Sequence, residues 1–391
     1  MKKFVSVFVV IILICLISLL YMSYNNKKRN IYGQYTVLTQ LSDKHYDCDV
    51  IKLSDGKVLI LGNDPYSIPT ELYDYNTNEA SIFSFPPSIK INKQGIALPN
   101  NKILLIGVCN NQNKKCTGNF GYNDIAVFDF DSNKVQHFYK INDSDYIKVY
   151  DYLLMDNGNV FLLLAYTKDY KEHFYKIGIY NPNKNTLELS KKYKMNTSNC
   201  IPSGIQINSN EILVLANMSK IMKFNIKQKI LKETASTNLL DNSFYKKLGN
   251  KILILGSDRG SIAQSDYNLL YDFKEDKIIQ IPSMLVEKSF KTFYTKKSVP
   301  EFNVTSFNQY QAIITGGRGR SKWHSIGGMI LNSAEIYDSE INEFIRINDM
   351  NCPRYGHRSL LMDDGNILLI GGITIPNKKC KNNSIEVLKL D

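Results

Sequence analysis

The chain has 391 residues, 43% of them apolar, 11% aromatic and 22% charged, and its 48 Lys and Arg exceed its 37 Asp and Glu to give a net charge of +11. This composition excludes a disordered polymer, a collagen and a disulfide-dense miniprotein. Its 25 Tyr and 18 Phe, against one Trp and five His, favour short strands joined by polar turns and leave little material for a His-rich metal centre.

Residues Phe4 to Leu20 form an uncharged run of 17, preceded by Lys2 and Lys3 and followed by Lys27, Lys28 and Arg29. That lies at the short end of the roughly 17 to 25 apolar residues a helix needs to span a bilayer. The run also has the shape of a secretory signal, but the best cleavage residue, Ser23, has the bulky Tyr21 two positions before it. The expectation is one N-terminal hydrophobic helix acting as an uncleaved signal anchor, in residues 1–30, ahead of a folded domain over 31–391. Basic residues flank both ends of the run, so the positive-inside rule does not orient it. Five of the cations lie in the first 34 residues, which hold no acid. The remaining excess is mild, and without a nucleic-acid motif it points to no nucleic-acid partner.

From residue 35 onward the chain repeats itself. An apolar strand after a polar turn recurs seven times: DGKVLILG from Asp55, NNKILLIG from Asn100, NGNVFLLL from Asn157, SNEILVLA from Ser209, GNKILILG from Gly249, YQAIITGG from Tyr310 and DGNILLIGG from Asp364. A second strand follows each, marked by Tyr73, Phe128, Tyr180, Phe224, Tyr271, Tyr337 and Leu388. These markers stand roughly 52 residues apart on average, a spacing that calls for one four-stranded unit, strands a to d, per repeat. Such a unit cannot bury both faces of its own sheet. Seven units stacked radially close into an all-β, seven-bladed propeller, with the marker residues packed between blades.

The last unit ends after its third strand. The segment from Tyr35 to Gly56 aligns without a gap on Phe344 to Gly365, so Tyr35 to Gln40 is expected to supply strand d of the seventh blade, beside Ile385 to Leu390. Alternate connections then fall on alternate faces of the disc, with the long b-to-c and d-to-a loops sharing one face, where function concentrates.

Six cysteines lie outside the apolar run, at 48, 109, 116, 200, 352 and 380, and all fall on that face. None form the close pairs with nearby His that zinc favours, so no metal site and no cofactor is expected. Disulfides fit an extracytoplasmic domain: Cys109 with Cys116 first, and Cys380 with either Cys352 or Cys48. Free buried thiols are the alternative. The most distinctive loop, Gly316 to Gly328, holds the single Trp323 with Arg318, Arg320, Lys322 and His324. A cluster of this kind binds carboxylates, sulfates or phosphates, with the indole stacking on a sugar ring; a solvated basic loop is the plainer reading. Arg354, His357 and Arg358 neighbour it, either as ligand contacts or as ties between loops. Asp258 and Arg259 form a weaker addition.

The pattern resembles the kelch repeat family and its galactose-oxidase-like propeller relatives. The likeness is sharpest in AEIYDSEINEFIRINDMNCPRYGHRSLLMDDGNILLIGG, from Ala334 to Gly372, and in the glycine pairs Gly316–Gly317 and Gly371–Gly372. Among such propellers, galactose oxidase uses copper held by Tyr and His, and five scattered His assemble no such site here. With the apolar run, the cysteines and the long-loop face taken together, the expectation is instead a single-pass, membrane-anchored, extracytoplasmic kelch-like module binding a protein or an anionic glycan through the long-loop face. The alternative is an enzyme acting on an anionic sugar in the manner of a sialic-acid mutarotase, for which no catalytic residue is assignable from sequence.

Overall fold

The computed structural model describes residues 33–390, apart from 63–66, 92–93, 111–123, 142–145, 169–171, 195–202, 218–219, 237–242, 256–267, 287, 289–301 and 320–328. The expected anchor, residues 1–30, lies outside the described residues. No helix among the described residues is long and apolar enough to cross a membrane.

Seven antiparallel sheets follow one another along the chain. Blade 1 comprises Val50–Lys52, Lys57–Ile60, Thr70–Asp74 and Glu79–Phe83, and blade 2 comprises Gln94–Leu98, Lys102–Asn110, Asp124–Asp129 and Lys134–Tyr139. Blade 3 runs through Tyr146–Leu154, Val160–Lys168, Glu172–Asn181 and Thr186–Leu189, and blade 4 through Ser203–Asn208, Glu211–Asn217, Lys220–Asn225 and Ile230–Ser236. Blade 5 is Phe244–Leu248, Lys251–Leu255, Asn268–Asp272 and Lys277–Ile281; blade 6 is Asn303–Ser306, Gln311–Thr315, Ala334–Asp338 and Glu343–Arg346. Blade 7 orders Arg358–Leu361, Ile367–Ile370, Ser384–Lys389 and then Gln34–Gln40. The N-terminal strand therefore closes the ring as the gapless alignment required, with Tyr35 opposite Leu388. Three short additions were not anticipated: Ile89–Lys90 and Tyr193–Lys194 extend blades 2 and 3, and Arg354–Tyr355 pairs with Ile373–Thr374 beside blade 7.

The register explains why the repeat reads so clearly. Tyr73, Phe128, Tyr180, Phe224, Tyr271, Tyr337 and Leu388 occupy one node in every blade. Their strand-b partners are Val58, Ile103, Val160, Ile212, Ile252, Ala312 and Ile367. All seven node residues are buried. Where the node is Tyr, its hydroxyl donates to the residue five positions on, in the c-to-d turn: Asn78 at 3.2 Å, Asn185 at 2.8 Å, Asp276 at 2.7 Å and Asn342 at 2.9 Å. Burial holds these phenols above their usual pKa, up to about 12 for Tyr180 and Tyr271. Each acceptor sits at positive φ, between 51° and 59°, where Asn and Asp are tolerated.

Strand b supplies the glue on both faces. In blade 1, Val58 and Ile60 pack toward blade 7 with Leu368, Ile370 and Val387, while Leu59 and Leu61 pack toward blade 2 with Ile103 and Leu105. Period-two alternation in a doubly buried strand produces this division and makes strand b apolar throughout. Seven such clusters occur, one between each pair of neighbouring blades. Each buried aliphatic or aromatic side chain contributes roughly 1.5–3 kcal/mol relative to exposure, so the ring is held by its interfaces.

Candidate functional site

Three consecutive blades share a buried ion pair at one position. Two residues before the node, blades 6, 7 and 1 carry Glu335, Glu386 and Glu71, each facing a Lys, Arg or His side chain from the connection that enters its blade. Lys288 Nζ lies 3.8 Å from Glu335, Arg354 Nη2 lies 2.7 Å from Glu386, and His45 Nε2 lies 2.8 Å from Glu71. The connections also donate backbone N–H groups to the same carboxylates, from Leu285, from Asn351 and Cys352, and from Ser42. Burial raises the Glu71 carboxyl, but hydrogen bonds from His45 and Ser42 outweigh it and leave the group below its usual range. The glycine pairs fit against these connections: Gly317 N donates to Arg354 O and Gly372 N to His45 O, each at 2.9 Å. At φ of 101° and 80°, with backbone oxygen or Phe302 within about 3 Å of where a Cβ would sit, neither position has room for a side chain.

This arrangement settles the place of several residues singled out from sequence. Arg354 is fully buried and bonds Glu386, Ser384 O and Leu369 O. His357 is 1% exposed, with Nε2 2.9 Å from Thr315 Oγ1. Burial and the charges of Arg354, Arg358 and Lys288 push its pKa well down, so the ring is neutral. In this geometry Arg354 and His357 are buried and tie neighbouring loops together. Arg318 stacks its guanidinium 4.0 Å from the centre of the Tyr355 ring. Arg320, Lys322, Trp323 and His324 lie outside the described residues, as do Asp258 and Arg259. The described cluster is therefore Arg318 with its aromatic support.

Arg358 sits elsewhere. Aligning the blades on their register places Asp49, Gln94, Asp151, Ser203, Phe244, Asn303 and Arg358 at equivalent positions near the start of the innermost strand. They ring the mouth of the central channel on the long-loop face. Four of them, Arg358, Asp49, Gln94 and Asp151, line a cleft of about 280 Å3 together with Asp47, Tyr150 and Tyr152. Arg358 Nη2 donates to Asp47 Oδ1 at 2.9 Å and lies 3.8 Å from Asp49. Asp49 also accepts Gly95 N at 2.9 Å and the Tyr152 hydroxyl, and Asp151 accepts Gly204 N at 2.7 Å. Burial raises the Asp49 carboxyl in spite of Arg358, and pushes the Tyr152 phenol well up beside that carboxylate. For Arg358, burial opposes the charge but Asp47 and Asp49 more than offset it.

Sequence reasoning missed the acidic half of this cleft. The gapless alignment that revealed the ring closure already pairs Asp49 with Arg358. Opposite charges at one repeat position carry no message until blades 7 and 1 are known to be neighbours.

Cys352 and Cys380 form a disulfide with Cα atoms 5.6 Å apart, joining the connection into blade 7 to that blade's b-to-c loop. Cys48 is a buried thiol whose S–H donates to Tyr46 O. Cys109 is disulfide-bonded; Cys116, its expected partner, lies outside the described residues.

No family model and no curated protein sequence matches the chain. Among solved structures it is similar to a fungal alcohol oxidase of the AA5 family, in complex with copper, with a TM-score of 0.62 and 14% identity. The match covers 92% of this chain and 77% of that chain. The likeness supports the seven-bladed propeller fold. The described lining of the cleft does not fit copper: its donors are carboxylates, an amide and phenols beside a guanidinium, and no imidazole, the nitrogen ligand that suits copper, is among these described residues. Of the described histidines, His45 and His357 are engaged with Glu71 and Thr315. Among the described residues no group of three or more His, Cys, Asp or Glu is placed to hold a metal ion.

Proposed function

We propose that the chain is a kelch-type propeller that binds a protein or glycan at its long-loop face, displayed outside the cytoplasm on an N-terminal membrane anchor. The observation that carries the reading is the cleft at the channel mouth. It brings acceptors (Asp47, Asp49, Asp151), donors (Arg358) and groups that do both (Gln94, Tyr150, Tyr152) from four blades to one concave place. Rigid scaffolds that gather convergent polar groups in a concavity are ligand sites. The Cys352–Cys380 bond supports an oxidising compartment, and the apolar run supports the anchor. The kelch assignment is supported by the glycine pairs closing strand b in blades 6 and 7. An enzyme acting on an anionic sugar draws less support, because two of the basic residues it would use are buried in structural bonds.

The test uses the full chain in mild detergent on a glycan array and in pull-downs, beside Asp151→Asn and Tyr152→Phe variants. Binding without turnover that weakens in both variants supports the module. Anomerisation or hydrolysis lost in the same variants would replace it with the enzyme.

A further inference from the structure

The whole chain is strongly positive, at +11, yet the cleft at the channel mouth is locally acidic. Its described lining holds three carboxylates, Asp47, Asp49 and Asp151, and one cation, Arg358. That cation is committed: Asp47 lies 2.9 Å from its Nη2 and Asp49 3.8 Å. An arriving anion would have to draw Arg358 away from both and then sit beside three acids in a half-buried cleft, where like charges are costly. The anionic glycan expected from the basic loop is therefore the wrong charge for this cavity.

We propose that the channel mouth takes a primary ammonium group carried on a sugar, that is, an amino-sugar residue of a glycan. The proposal rests on the channel mouth being the binding site. Asp151 lines the cleft with Tyr150 and Tyr152, its neighbours in the same strand. A carboxylate in a half-buried cleft holds an ammonium through a charge-assisted hydrogen bond. Gln94 and the phenols offer both donors and acceptors to hydroxyls. At about 280 Å3 the cleft lies at the small end of ligand pockets, which suits a single sugar ring. A protein lysine would present the same ammonium, but its aliphatic stem would lie against polar walls and leave those groups unpaired. A negative cleft on a positive body also focuses cations toward one place.

The experiment measures calorimetric binding to the full chain in mild detergent. The probes are a glucosamine oligosaccharide, its N-acetylated counterpart of equal length, sialyllactose and a lysine-rich peptide. The expected result is at least tenfold tighter binding of the glucosamine oligosaccharide than of the N-acetylated one. Asp151→Asn, which keeps an oxygen for Gly204 N and is checked for an unchanged melting temperature, should abolish that preference and leave the weaker binding in place. Equal or tighter binding of the acetylated or sialylated probe, or a preference that survives Asp151→Asn, overturns the ammonium proposal and leaves the binding site standing. Tighter binding of the peptide overturns the assignment to a sugar. If no probe binds, or if binding ignores both Asp151→Asn and Tyr152→Phe, the channel-mouth reading fails and takes the proposal with it.

Discussion

Truncating Arg354 to Ala tests whether this residue holds the ring together or waits for a ligand. Its side chain is 0% exposed, as is that of Glu386. Removing the guanidinium strands a buried carboxylate that keeps only the N–H groups of Asn351 and Cys352. Breaking a buried pair from one side costs about 3–5 kcal/mol. The carbonyls of Ser384 and Leu369 also lose their donor, at roughly 1 kcal/mol or more if water cannot replace it. A total of about 4–6 kcal/mol is expected. In a ring of roughly 360 residues, with an unfolding entropy of about 2 cal/mol/K per residue, that lowers the melting temperature by about 6–8 °C. Thermal unfolding followed by circular dichroism measures it. Lys229→Ala serves as the control, since the Lys229–Glu188 pair is half or more exposed on both sides and should cost less than about 1 kcal/mol. An Arg354→Ala protein melting within a degree of the parent would refute the structural assignment and return Arg354 to the set of ligand contacts.

Deleting residues 380–391 removes Ser384–Lys389, the strand that joins Gln34–Gln40 to the rest of blade 7, so the whole ring should lose its cooperative transition; an unchanged melting temperature contradicts the closure. In the unfolded chain a lysine keeps its proton to about pH 10.4, whereas burial brings Lys288 down to about 8 in spite of Glu335. Between those values the unfolded state binds more protons, so this group makes stability rise with pH. Denaturant unfolding between pH 8 and 9.5 should show that rise relative to Lys288→Met, which lacks the group, and parallel curves would contradict it. The double variant Lys288→Met with Glu335→Gln, which keeps an acceptor for Leu285 N, should be near neutral at pH 7, because replacing a buried pair together avoids a stranded charge. Mass spectrometry of non-reduced protein should find Cys352 linked to Cys380 and Cys48 alkylated only after unfolding; a freely alkylated Cys352 in the native protein opposes the extracytoplasmic reading.

Much of the fold was legible because propeller units are local. The turns, the apolar run of strand b and the aromatic node of strand c lie within one repeat, and burial on both faces of strand b forces every copy to the same pattern. The buried ion pairs were only half legible. Arg354 stood out beside His357 and Arg358, but its partner Glu386 lies 32 residues on, and His45 and Lys288 fill the same role with different chemistry. A position that accepts Arg, His or Lys leaves no residue signature.

The sequence by itself determined the number of blades, the strand order within each and the borrowing of the N-terminal strand. Each follows from hydrophobic periodicity and from the gapless alignment of Tyr35 to Gly56 on Phe344 to Gly365. Only the tertiary structure decided which charges belong to the scaffold and which to the cleft. Asp49 and Arg358 are 309 positions apart in the chain yet adjacent across the closing interface. Asp151 and Tyr152 come round from blade 3. Where seven strand beginnings converge on one axis, neighbours are set by the angle between blades and the radius of the channel. Neither quantity is written in the spacing of residues along a repeat.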